Sequence, residues 1–291
     1  MRIVRQDLNG GLGAWLARPA APDADVALAW LGQAGFVLRI GPAVILIDSY
    51  LSNHLAEKYR GGPRSYTRMM AAPIAADGFT RVDLVVCTHR HSDHMDPGTL
   101  PVIATRHPDC HFVVPAAESV HAVALGLDPG RLILADAGQK VRPLGGIDLV
   151  LHPIPAAHER LEQDEAGHHR FLGYGIAASG LRLYHGEDCI PYDGLLEHVR
   201  GLEADLALLP VNGRDAERAA AGVPGNFTLE EAVGLSADAG IATLIPHHFG
   251  LFAFNTADPD AIDALAERHA ERDLRPGLLR PDTQHALLLG A

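Results

Sequence analysis

A layered α/β sandwich best accounts for the pattern of apolar residues in this 291-residue chain. Three short apolar runs near the start, 26–31 (VALAWL), 35–40 (GFVLRI) and 43–48 (AVILID), are separated by Gly32 and by Gly41-Pro42, which reads as a β-meander. From residue 82 onward, runs of strand length alternate with stretches of helical periodicity. No shift of composition and no low-complexity tract marks a linker. Two β-rich parts, each with helices, therefore fit one domain over 1–291, with the Gly-, Pro- and Ala-rich residues 1–25 as an N-terminal extension packed on its surface.

After the meander, residues 49–80 lack clear periodicity and carry Gly61-Gly62-Pro63, so a functional loop or short helical insertion is expected. Residues 84–87 are a strand and 97–107 a helix with Pro97 in its first turn. A strand at 111–114 (HFVV) is followed by a helix at 116–125, then by strands at 131–134, 140–143 and 147–154. Strands 173–178 and 181–185 flank a Ser179-Gly180 turn. A helix at 192–201 leads to a strand at 206–209. Thr228-Leu-Glu-Glu231 is a capping-box pattern, which starts a helix over 228–239. A strand at 242–246 and an amphipathic helix at 258–271 complete the pattern.

The composition excludes several functions. The net charge of −12, without a long run of either sign, disfavours a nucleic-acid partner. No apolar run approaches the ~20 residues a membrane helix needs. Residues 1–16 carry Arg2, Arg5 and Asp7 and no apolar h-region, so no secretory signal is expected. The three cysteines, Cys87, Cys110 and Cys189, have no CxxC spacing and suggest no disulfide framework. A soluble cytoplasmic protein is the expectation. The 17 histidines are unusual, and several of them neighbour Asp or Glu.

The chemistry concentrates in THRHSDHMD (88–96), directly after the strand 84–87. A loop at a strand end can gather His89, His91, Asp93 and His94, whereas a helix would scatter them. Imidazole and carboxylate suit Zn, Mn or Fe better than Ca or Mg. The bland alternative is a solvated histidine-rich turn. Four such residues need partners, and other strand ends offer them: His158 in PIPAAHE, Asp188 in YHGEDC, and His247 and His248 in IPHHFGLF.

These segments, with WLGQAGF (30–36), LIDSYLS (46–52), LPVNGR (209–214), GNFTLEEA (225–232) and the full IPHHFGLFAFNTADP (245–259), make the chain resemble a metallo-β-lactamase-fold hydrolase over about residues 26–260. Within that superfamily it is similar to the L-ascorbate-6-phosphate lactonase branch. The HxHxDH motif carries the first likeness; LPVNGR and the P-x-H-[FY] segment carry the second. The resemblance implies a four-layer αββα sandwich with its site on the rim between two sheets. It implies one metal on His89, His91 and His158, a second on Asp93, His94 and His248, and Asp188 bridging them. It also implies manganese or zinc as the metal, and a homo-oligomer. Two residues depart from the family pattern: Glu187 stands where glycine usually precedes the bridging aspartate, and Ser49 where proline is common. Glu187 would crowd the site, add a carboxylate, or point to solvent.

Secondary candidates follow strands on the same side. Asn212 and Arg214 are expected to hold an anionic group of the substrate, the planar guanidinium fork suiting carboxylate or phosphate; the alternative is a surface arginine in an ion pair. Gln33 and Tyr50 are site or turn-packing residues. Lys58, Arg60, Arg64 and Arg68 form a loose basic cluster that covers the site or lies in a solvated loop. Cys189 neighbours Asp188 but is not expected to ligate.

Two metals about 3.5–4 Å apart share a water and lower its pKa toward neutrality. Attack by the resulting hydroxide, with Asp93 or Asp188 taking the proton, hydrolyses a lactone, ester, amide or phosphodiester. The resemblance selects a lactone of a sugar acid, phosphorylated ones included. Three readings compete: a phosphodiesterase or nuclease, which needs a basic track; a diiron oxidoreductase, which typically has Glu where His91 stands; and a non-catalytic metal-bound scaffold.

Overall fold

The computed structural model describes residues 1–20 and 26–290; residues 21–25, part of the expected N-terminal extension, lie outside them. The chain runs β1 (Arg2–Asp7), α1 (Gly11–Leu16), β2 (Val26–Gly32), β3 (Gly35–Ile40), β4 (Ala43–Ile47), α2 (His54–Lys58), β5 (Leu84–Val86), α3 (Leu100–Arg106), β6 (His111–Pro115), α4 (Ser119–Ala124), β7 (Leu132–Ala135) and β8 (Leu149–Pro155). It continues through β9 (Leu172–Ala178), β10 (Leu181–His185), α5 (Leu195–Leu202), β11 (Leu206–Pro210), α6 (Ala216–Ala220), α7 (Leu229–Asp238), β12 (Thr243–His247), α8 (Pro259–Glu271), β13 (Gly277–Leu278) and β14 (His285–Gly290).

The strands form two sheets. One has eight strands in the order β1-β14-β2-β3-β4-β5-β6-β7; the other has six, β13-β12-β11-β10-β9-β8. The period-2 alternation of strand side chains divides the apolar residues between two cores. Val26, Leu28 and Trp30 of β2, Phe36 and Leu38 of β3, and Leu84 and Val86 of β5 face the second sheet and meet Leu151, Ile176, Leu183 and Leu208. The intervening Ala27, Ala29, Leu31, Val37 and Val85 face outward, where Leu12 and Trp15 of α1, Leu100 and Ile103 of α3, and Ala122 of α4 cover them. On the far side of the six-stranded sheet, α5 packs on β8 and β10, α7 on β11 and β12, and α8 on β13. Helix, sheet, sheet, helix is the expected αββα order.

The N-terminal residues depart from the expectation of a surface wrap. β1 pairs antiparallel with β14, Arg2 opposite Gly290, so the two ends of the chain together extend the eight-stranded sheet. The expected strand at 140–143 reduces to one bridge between Val141 and Leu151, because Pro143 has no N–H to donate. Helix α7 opens with the full capping box: Glu231 N–H donates to Thr228 Oγ1 at 3.2 Å, and Thr228 N–H donates to Glu231 Oε2 at 2.9 Å.

Strand direction places the site. β4 runs parallel to β5, and β10, β11 and β12 are mutually parallel. Parallel neighbours end on the same side, so the chain leaves both sheets on one rim at Asp48, Thr88, Gly186, Val211 and His248.

Candidate metal centre

Three trios of side chains bring possible ligand atoms within 4.8 Å of one another: His89, His91 and His158; His89, His94 and Asp188; and Asp93, Asp188 and His248. All seven residues expected to ligate are therefore in one cluster. Asp188 occupies two trios and is central: its Oδ2 lies 3.2 Å from His248 Nε2, 3.4 Å from His94 Nε2 and 3.9 Å from His158 Nε2. His94 groups with His89 and Asp188 rather than with Asp93 and His248. His247, the alternative at that strand end, turns into the inter-sheet space and stacks on His185 with ring centroids 5.3 Å apart.

Backbone and side-chain bonds hold the motif loop. Asp48 accepts from Thr88 N–H at 2.9 Å and from the Thr88 hydroxyl at 2.8 Å. Asp96 accepts from Ser52 Oγ at 2.7 Å, from Thr99 Oγ1 at 2.6 Å and from Gly98 N–H at 2.9 Å, which ties the following loop to residues 51–52. The opposite sheet is joined by Leu172 N–H to Thr88 O at 3.1 Å and by His248 N–H to Gln33 O at 3.1 Å. Gln33 reaches the centre itself: its Nε2 lies 2.8 Å from His248 Nε2 and 3.4 Å from Asp93 Oδ2. Tyr50 is a packing residue, its hydroxyl accepting from Leu55 N–H at 3.1 Å, and burial pushes its pKa up to about 12.

Behind the ligands stand two carboxylates. His94 Nδ1 is 2.9 Å from Asp48 Oδ2, and His89 Nδ1 is 2.7 Å from Glu187 Oε2, with all four side chains fully buried. Glu187 thus neither points to solvent nor joins the ligand trios. Asp48 was not singled out from sequence; its position at the end of an apolar strand was the available signal.

Electrostatics suit a cation. Burial, then the charges of neighbouring histidines, holds His89 well below its ordinary pKa, and burial lowers His91 and takes His158 down to about 4, so their nitrogen lone pairs are free near neutral pH. Burial alone would also lower His94, but Asp48 and Asp188 outweigh it and raise that ring well above the usual range. Burial alone would raise Asp188, yet His248 and His94 hold it well below. Glu187 is raised by burial and by the charge of Asp188. Among the described residues, His89 Nε2, His94 Nε2 and Asp188 Oδ1 are buried without a hydrogen-bond partner. Buried polar atoms are rarely left so. A mixed nitrogen and oxygen donor set with unpartnered atoms fits one or two transition-metal ions.

The cluster opens on a cavity of about 450 Å³, whose floor includes His91, Asp93, His158, Asp188 and His248. One wall is aromatic, with Tyr59 stacked on Tyr66 at 4.4 Å and Tyr66 edge-on to Phe252 at 5.3 Å and to Phe254 at 4.8 Å. Lys58, Arg90 and His121 line it too. Sequence reasoning passed over Arg90 and His121, although Arg90 lies between two candidate ligands.

Two residues expected to hold the substrate lie away from the cavity in this structure. Arg214 does not face this cavity: its NH1 and NH2 both donate to the Glu231 carboxylate at 2.6 Å, because the loop after β11 carries it toward the start of α7. Asn212 is buried behind the wall, donating to Asn255 Oδ1 at 2.7 Å and accepting from Asn226 Nδ2 at 3.0 Å. Neither lines the cavity. The 49–80 basic cluster also divides. Arg68 donates to Tyr50 O at 3.0 Å and Met70 O at 3.1 Å, and Arg64 to Ala221 O at 2.8 Å, which straps the segment down. Lys58 reaches the cavity, while Arg60 is exposed. Cys189 is buried, its thiol pKa raised, and belongs to no ligand trio.

Comparison with known proteins agrees with this geometry. The beta-lactamase superfamily domain model matches residues 44–249. A UPF0173 metal-dependent hydrolase of Myxococcus xanthus is 26% identical over 262 residues, covering 87% of this chain and 81% of that protein. One from Polynucleobacter asymbioticus is 30% identical over 216 residues, covering 69% of this chain and 70% of that protein. The solved structure of Igni18, a metallo hydrolase from the archaeon Ignicoccus hospitalis, superposes with a TM-score of 0.66 at 19% identity, covering 91% of this chain and 99% of that one. With a motif-bearing rim between two sheets and a match over most of its length, the chain belongs to the metallo-β-lactamase-fold superfamily, among the UPF0173 metal-dependent hydrolases.

Proposed function

We propose that this metal-dependent hydrolase opens a lactone or closely related ester of a sugar acid that carries an anionic group, phosphorylated lactones included. The observation that carries this reading is that one cavity holds both the ligand cluster and a cationic rim. Among the described residues neither Lys58 nor Arg90 has a carboxylate partner; Lys58 lies over the Tyr59 ring at 5.2 Å. His121 feels both charges: partial burial lowers its pKa, Glu118 opposes, and Arg90 and Lys58 add to the lowering. Unpaired cations beside a catalytic floor favour an anionic substrate.

Manganese or zinc ions held by the seven ligands would supply Lewis acidity and a water of lowered pKa. The protein does the rest. Asp93 and Asp188 present carboxylate oxygens on the cavity floor, where either can take the proton of the attacking water. Asp188 Oδ1 has no competing hydrogen bond among the described residues. The aromatic wall excludes water and gives the body of a cyclic ester an apolar face, while Lys58 and Arg90 orient its anionic end. A cytoplasmic location is part of this reading, supported by three buried free cysteines and by the absence, among the described residues, of a helix long and apolar enough to cross a membrane. So is self-assembly, supported by an apolar patch of Val120, Val123 and Leu134, of which Val120 is 81% exposed.

The test is a set of matched lactones with and without a carboxylate or phosphate. A partly desolvated charge-assisted bond contributes about 1.5 kcal/mol, or roughly tenfold in binding. Arg90→Ala should raise KM for the anionic lactone by about that factor and leave the neutral one nearly unchanged. Equal loss on both would remove the anion-seat reading. Preferential turnover of a phosphodiester would replace the lactonase reading with a phosphodiesterase, and no turnover of either class would favour the non-catalytic scaffold.

A further inference from the structure

Glu187 is the residue at this centre whose presence the fold does not explain. Its backbone is left-handed at φ 52°, a conformation glycine adopts freely and side-chain-bearing residues avoid. Its side chain is fully buried. Its nearest charged neighbour in sequence is Asp188, of the same sign, and neither Oε1 nor Oε2 has a hydrogen-bond partner among the described residues. Backbone strain, burial of an acid and like-charge repulsion all oppose a glutamate here.

The closest partner of opposite character is His89 Nδ1, 2.7 Å from Oε2, and the charge of His94 also favours the carboxylate. His89 presents its other nitrogen, Nε2, without a partner, to the ligand cluster. The neighbouring ligand His94 has the same arrangement, with Asp48 behind Nδ1 at 2.9 Å and an unpartnered Nε2. Thr88 Oγ1 lies between the two rings, 3.1 Å from His89 Nδ1 and 3.2 Å from His94 Nδ1, but its proton goes to Asp48. One hydroxyl oxygen is a poor acceptor for two ring N–H groups, and Asp48 already serves His94. A carboxylate behind a ligating imidazole fixes its tautomer and orientation and strengthens it as a donor.

We propose that Glu187 is a positioning residue of the metal centre, its carboxylate holding His89 with Nε2 toward the ion and thereby tightening the site made by His89, His91 and His158. The inference rests on the assignment of this cluster as the metal centre. It does not depend on the substrate.

The experiment measures zinc affinity of the full-length protein by chelator competition, with cobalt absorption as a second readout, for wild type, Glu187→Gln and Glu187→Gly. Glu187→Gln keeps the shape and loses the charge; Glu187→Gly relieves the backbone. Both should weaken one metal equivalent by about 10- to 100-fold, leave the other within about threefold, and shift the cobalt bands. Unchanged affinity for both equivalents and unchanged cobalt bands in Glu187→Gln would overturn the proposal, whatever Glu187→Gly does. Should Glu187→Gly lose its far-ultraviolet dichroism, Glu187→Gln alone decides. Failure of the wild type to bind zinc or cobalt at all would sink the metal-centre assignment, and this proposal with it, whereas wild-type binding with unaffected variants would sink the proposal alone.

Discussion

Three side chains at the centre sit on backbone that L-residues avoid: Asp48 at φ 43°, Glu187 at 52° and His248 at 66°. Each such conformation costs about 1–2 kcal/mol. The other non-glycine cases among the described residues, Gln33, Ser179, Glu203 and Asp273, lie at hairpin turns and just beyond helix ends, where such strain is ordinary. Strain gathered at ligands and their supports is what a site held against local preference looks like. The buried histidines add a pH dependence. His158 has a pKa near 4 in the fold against an ordinary 6.5. Between those values the unfolded chain holds a proton that the folded chain does not. This contribution is therefore fully present above pH 6.5 and is lost as pH falls toward 4, an effect of about 3 kcal/mol. His94, shifted upward, acts in the opposite sense, so the wild-type slope alone is ambiguous. His158→Gln isolates the effect: the melting temperature of the metal-free variant should fall less than that of wild type between pH 6.5 and 4. Parallel curves would show that His158 is not buried neutral.

At the level of elements, much was legible. The meander, the hairpin at Ser179-Gly180 and the capped helix α7 follow the expected bounds within a few residues, because each is specified by local apolar pattern and turn chemistry. β1 was missed for a physical reason. Arg2, Arg5 and Asp7 make it read as polar surface, which is how an edge strand avoids unwanted pairing. β14 carries an apolar run, HALLLG, of strand length, but only the assembled sheet shows that it lies between β1 and β2. Arg214 illustrates the limit for side chains: its place after a strand suggested a ligand contact, and the start of α7 captured it instead. Two substitutions separate the roles. Thr228→Ala removes a capping bond and should cost about 1 kcal/mol, seen as a lower melting temperature. Arg214→Ala removes a half-exposed pair and should cost less than that, with KM for every lactone unchanged. A KM increase confined to anionic lactones would return Arg214 to the substrate.

Across the whole molecule, the site exists because parallel strands of two sheets end on one rim. The motif loop 88–96 is local, and its four candidate ligands could be read from spacing alone. The carboxylates behind them could not, since Asp48 and Glu187 meet His94 and His89 only when both sheets are packed. The cavity rim likewise draws the cations Lys58 from α2 and Arg90 from the motif loop, and the His121 ring from α4, three segments with no shared sequence signal. The central claim is that seven side chains from both sheets hold the metals on which hydrolysis depends. Its most direct test measures metal content and lactone turnover together in stripped and reloaded protein, with Asp188→Asn alongside. Wild type should take up about two equivalents, regain turnover only when loaded, and lose both one equivalent and most turnover in Asp188→Asn while the far-ultraviolet spectrum stays native. Turnover that survives complete stripping, or that is near normal in loaded Asp188→Asn, would contradict it.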